Sequence, residues 1–121
     1  MRLAYWIVAA LLAVLYLYSG ALKTTRSKDQ LRPMMAWVDG MPLRYVRTIG
    51  VLEVLGALGL ILPPLTGVAV GLALAAAIGL AVLQVGALSL HLSRGEVKVT
   101  PLNIVLLALA IVAIWLATTW L

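Results

Sequence analysis

Few side chains in this chain can do chemistry, and the most conspicuous sits where charge is costly. Glu53 stands near the middle of RYVRTIGVLEVLGALGLILP, Arg44 to Pro63. That run is mostly Leu, Ile, Val, Ala and Gly, and its length of about 20 residues is what crosses a bilayer. An ionisable group at such depth costs at least about 2.5 kcal/mol, so it is kept only where it faces other helices or a wet cavity. There it can hold a buried ion pair that fixes helix packing, receive a ligand's polar head, or pass a proton. Gly50 and Gly56 flank it at three-residue spacing and leave room beside the carboxylate. Arg47 lies on the same run, six residues away and about 120° around a helix, which makes direct pairing awkward. Pairing through a neighbouring helix is the better geometry.

Further candidates among the polar residues inside apolar runs are Ser19 and Lys23, Gln84 and His91, and Asn103. With Arg47 and Glu53 they make up the candidate ligand-binding set, and Glu53 with His91 is the candidate acid–base pair. His91 also has a plainer reading, an interfacial histidine favoured by the negative end of its helix. No metal-ligand cluster and no Ser-His-Asp arrangement is suggested. A haem normally takes paired axial ligands, and the chain has one His. Cysteine is absent, which excludes disulfides, thiolate metal sites and thiol relays.

The elements that must position these residues follow from composition. The 121 residues are 64% hydrophobic and 11% charged, against about 25% charged for a soluble domain. Such a chain cannot cover a water-facing surface. It reads as an all-α integral membrane protein, a single domain of four transmembrane helices at about 3–22, 44–62, 65–92 and 102–121. Polar loops at 23–43 and 93–101 connect them. The first run has only Arg2 as an n-region and no cleavage site, so it reads as a retained helix with Tyr5 and Trp6 as interfacial anchors. Residues 23–43 carry Trp37 and several Met among Pro33, Gly40 and Pro42, which suits a segment lying on the membrane surface or a lid over a cavity. The Pro63–Pro64 pair is expected to stop the second helix. Gly67, Gly71, Ala75 and Gly79 recur every four residues in the third run, a face for intramolecular packing or for homo-oligomers. Pro101 opens the fourth helix at its first position.

Charge sets the orientation. Lys23, Arg26, Lys28, Arg32, Arg44, Arg47, Arg94 and Lys98 fall on the side of the two polar loops, and only Arg2 on the other. The loops are therefore expected in the cytoplasm and both termini outside. At about 1.5 Å per residue, Glu53 lies about 13 Å below Arg44, Gln84 about 10 Å below His91 and Ser19 about 6 Å below Lys23. These polar groups share the cytoplasmic half of the membrane, which implies a polar cleft on that side. Nucleic-acid binding has no support.

The chain resembles the DoxX-like membrane proteins over most of its length. The resemblance rests on Tyr18-Ser19-Gly20 followed by Lys23, on Arg47, Gly50, Glu53 and Gly56 running into GALGLILP, on His91, Arg94, Gly95 and Glu96, and on Asn103. It implies a four-helix bundle in the bacterial plasma membrane. Founding members of that family are linked to quinone-dependent sulfur oxidation and a terminal quinol oxidase, so a quinone and membrane redox subunits are the implied cofactor and partners. No catalytic residue carries over.

The leading functional reading is a small membrane protein whose polar site, Glu53, Arg47 and Lys23, binds an amphipathic molecule such as a quinone or lipid. It would serve membrane redox or lipid metabolism. The alternatives are a membrane enzyme using Glu53 and His91 on a lipophilic substrate, a small proton-coupled transporter, and a structural partner of larger complexes. Balanced loop charge, which dual-topology exporters need, is missing here.

Overall fold

The computed structural model describes residues 2–31, 33, 41–95 and 100–121. Its helices are α1 (Arg2–Thr25), the single turn α2 (Lys28–Leu31), α3 (Leu43–Thr66), α4 (Leu72–Ser93) and α5 (Thr100–Ala117), followed by a 3₁₀ turn at Thr118–Trp120. No strand occurs among the described residues. Four of the helices are long and apolar enough to cross a membrane. They close a ring, α1 on α3, α3 on α4, α4 on α5 and α5 back on α1. The chain is thus a four-transmembrane-helix bundle.

Each long helix buries a stripe with helical spacing. On α1 the stripe includes Tyr5, Ala9, Leu12, Tyr16, Gly20 and Lys23; on α3, Val46, Gly50, Glu53, Ala57, Leu60 and Pro64; on α4, Ala73, Ala77, Leu80 and Gln84. Small residues dominate the middle because lipid is as apolar as leucine. Helices then associate through close packing and hydrogen bonds more than through exclusion of water. Among the described residues the buried polar or charged side chains are Lys23, Glu53 and Gln84, which continue the inward stripes and face the bundle interior.

At the polar-loop end α2 folds back over the bundle. Leu31 is 1% exposed and packs with fully buried Val46 against Leu22, Ile49 and Leu90. Most of the Met- and Trp-bearing stretch expected at the membrane surface lies outside the described residues. At the opposite end Tyr5, Trp6 and Trp120 meet edge to face, and the Arg2 guanidinium sits 4.9 Å over the Trp120 ring. Both terminal regions therefore lie together, away from the polar loops.

Several expectations need correction. The Pro63–Pro64 pair does not end the second span; α3 runs through both prolines to Thr66. Proline forfeits the N–H that would bond the carbonyl four residues earlier, here those of Gly59 and Leu60. In a membrane a neighbouring helix can meet that need. Tyr5 does so, donating its hydroxyl to the Leu60 carbonyl at 2.5 Å. Tyr5 is accordingly fully buried, and is a structural donor where an interfacial anchor was expected. The helix ends at Gly67, whose φ of 74° allows its N–H to reach the Pro63 carbonyl at 2.9 Å.

The third span begins at Leu72, later than expected, because residues 65–71 complete α3 and the turn. Gly67 caps α3 and Gly71 precedes α4, so the four-residue row does not lie on one helix. Ala75 and Gly79 do lie on α4, exposed, beside a groove of about 550 Å³ that also takes in Gly56 and Gly59 of α3.

Removing the Tyr5 hydroxyl as Tyr5→Phe strands a buried carbonyl and should lower stability by about 1–3 kcal/mol in a denaturant or thermal titration. Pro64→Ala restores the missing N–H, so the tyrosine change should cost much less in that background. Equal losses in both backgrounds would show that Tyr5 acts by packing alone.

Candidate functional site

The site is built on a glycine crossing. A Cβ on Gly20 of α1 would lie 2.7 Å from the Gly50 carbonyl oxygen and from Val54 Cγ2. A Cβ on Gly50 would lie 2.7 Å from Lys23 Cβ and 2.9 Å from the Gly20 carbonyl. Only glycine at both places lets the backbones of α1 and α3 approach this closely. The helices are antiparallel, so Lys23 and Glu53, each three residues beyond its glycine, sit about 4.5 Å to either side of the crossing. Side chains on a helix lean toward its N-terminus, which turns the two toward each other.

They meet as a buried ion pair, with Lys23 Nζ donating to Glu53 Oε1. Glu53 is 3% exposed and Lys23 9%. Arg47 completes this end of the site without touching the carboxylate. Its Nη1 donates at 2.7 Å to the Lys23 carbonyl, one of the last four of α1 that lack a partner within the helix. A guanidinium there also opposes the negative end of the helix dipole. Pairing between helices thus replaces the awkward contact within α3.

A second polar group spans the facing helices. Asn103 Nδ2 of α5 donates at 2.9 Å to Gln84 Oε1 of α4, and Gln84 Nε2 donates at 2.6 Å to the Tyr16 hydroxyl of α1. Tyr16 lies within electrostatic reach of Glu53. Together the two groups make a polar layer that draws on all four spanning helices.

Of the candidate residues, the structure joins Lys23, Glu53 and Arg47 in one group and Gln84 and Asn103 in the other. Ser19 is half-buried one residue before the crossing glycine. His91 is half-buried in the last turn of α4, seven residues and about 10 Å along the helix from Gln84. The hydrogen bond of Glu53 goes to Lys23 and not to His91. Tyr16 is the member that residue types alone did not single out. Its signal was its place on the stripe that leads through Gly20 to Lys23. Among the described residues no group of three or more His, Cys, Asp or Glu gathers to hold a metal.

Four apolar helices around an internal ion pair and an amide–phenol chain define a small multipass membrane protein with its polar groups turned inward. The chain belongs to the DoxX-like family, which matches residues 7–113. That span includes every residue of the polar layer. No curated protein and no solved structure matches the chain.

Replacing Glu53 with Leu leaves Lys23 buried without its partner and should cost about 3–5 kcal/mol, read as loss of folded protein in a denaturant titration. The double variant Lys23→Met/Glu53→Leu removes both charges and should recover most of that stability. A double variant as unstable as the single one would show that the lost energy is not that of an orphaned charge. Gly50→Ala forces the helices apart and should cost about 1–3 kcal/mol by overpacking, with the ion pair intact in charge but not in reach.

Proposed function

We propose that this protein binds the polar head of an amphipathic molecule, a lipid or a quinone, in the layer formed by Lys23, Glu53, Tyr16, Gln84 and Asn103. The observation that carries the reading is the buried Lys23–Glu53 pair. An ion pair in hydrocarbon is poor value as a stabiliser, since a well-packed apolar pair of similar volume often serves as well or better. Ionisable groups within spans mark functional sites more often than they mark packing. Lys23 Nζ and the Tyr16 hydroxyl are the donors that would hold a carbonyl or phosphate-type oxygen. Arg47 keeps Lys23 in place through its backbone.

The excess of cations at the polar-loop end supports placing that end in the cytoplasm, so the head would be received in the cytoplasmic half of a bacterial plasma membrane. A part in membrane redox or lipid metabolism follows from the kind of ligand. A quinone would use the same donors for its carbonyl oxygens and would supply two-electron chemistry when bound; the chain's own groups would bind and orient it.

Mass spectrometry of small molecules retained by the gently solubilised protein tests the reading. A defined amphipathic molecule should accompany the wild type and be lost from Glu53→Gln. The same nonspecific lipids in both, with the variant only less stable, would make the pair a packing device.

A further inference from the structure

Two groups of the polar layer, Tyr16 and Glu53, keep hydrogen-bonding capacity that the described residues do not use. Gln84 is engaged at both ends of its amide, and Lys23 and Arg47 are both engaged. The Tyr16 hydroxyl accepts from Gln84, but among the described residues no acceptor takes its own proton. Glu53 accepts from Lys23 through Oε1, while Oε2 accepts nothing from the described residues. The sealed side-chain nitrogen or oxygen atom without a partner among those residues is Trp120 Nε1, at the far end of the bundle. Glu53 Oε2, though unpartnered, is therefore not completely sealed.

Tyr16 is 2% exposed and Glu53 3%, so both groups lie almost wholly within the bundle. The chain Asn103 to Gln84 to Tyr16 is also directional. Each member donates to the next, and the proton left over is that of Tyr16. On the other side, a carboxylate paired with an ammonium only accepts.

We propose that the site selects a hydroxyl-bearing head group, one that accepts a hydrogen bond from Tyr16 and donates one to Glu53 Oε2, and that Tyr16 is its specificity-determining residue. This rests on the ligand-binding reading above and narrows its chemical class. An alcohol or phenol on an apolar body offers both functions. A ketone, ether or ester offers acceptors only and leaves Glu53 Oε2 without a donor. A hydrogen bond to a charged group contributes about 1.5–3 kcal/mol, which corresponds to a difference in affinity of about tenfold or more.

A matched pair of probes isolates that one hydrogen: 4-nonylphenol and its methyl ether, 4-nonylanisole, each titrated against the full chain in lipid nanodiscs. Affinity is read from the shift in melting temperature relative to each protein's own unliganded value. The phenol should bind the wild type about tenfold more tightly than the ether. In Tyr16→Phe and in Glu53→Gln that advantage should shrink to near zero. Equal binding of the two probes by the wild type, or an advantage that survives both substitutions, overturns the inference. Equal binding that is still lost in Glu53→Gln leaves the ligand-binding reading standing and removes only the hydroxyl selectivity. Failure of both probes to bind the wild type overturns both. The wild-type comparison decides even where a variant does not fold.

Discussion

Everything in this bundle depends on bringing a lysine and a glutamate together almost wholly out of water. Hydrocarbon does not solvate an isolated charge, so the pair forms only if two helices come close enough, in the right register, before other needs are met. Gly20 and Gly50 provide the approach, and the lean of helical side chains provides the direction. Arg47 then binds the Lys23 carbonyl, tying the end of α1 to the first turns of α3. Once α1 and α3 are joined in this way, Tyr16 is held facing α4, and the Gln84 and Asn103 amides extend the polar layer to the remaining helices. One crossing thus sets the register of the whole ring.

The span count and the all-α class were legible because an apolar run long enough to cross a bilayer has few other uses. Glu53, Lys23 and Gln84 stood out for the same reason, being polar where polarity is expensive. Rotation about each helix axis was the missing quantity. Depth follows from counting residues, but which faces meet depends on the small residues that line the contacts. Gly50 was noticed for the room it leaves, whereas its use is to let a second backbone in. Tyr16 and Tyr5 passed as ordinary aromatics because a tyrosine near an apolar run is a common interfacial residue. Their hydroxyls acquire meaning only when a partner on another helix is known. The proline pair misled for a related reason: the rule that proline ends a helix assumes that the freed carbonyls have no donor nearby.

The layer also has a boundary on the loop side. Leu31, carried by the single turn α2, packs with Val46 over the ends of α1, α3 and α4. Apolar packing therefore ties α1, α3 and α4 together at that end of the bundle. The groove between α3 and α4, lined by Gly56, Gly59 and Gly79, shows that at least one helix seam is shallowly filled on its lipid face.

The bond from Tyr5 to the Leu60 carbonyl bears on the order in which the protein is made. The last turns of α3 lack part of their own hydrogen bonding, and the donor that serves Leu60 belongs to α1. Chains emerge from the ribosome N-terminus first, so α1 is already available when the proline-bearing end of α3 enters the bilayer. A circularly permuted chain that delivered α3 before α1 would have to insert that end with the Leu60 carbonyl bare. The natural helix order spares the nascent chain that step, which makes this contact a constraint on biogenesis as well as on the finished bundle.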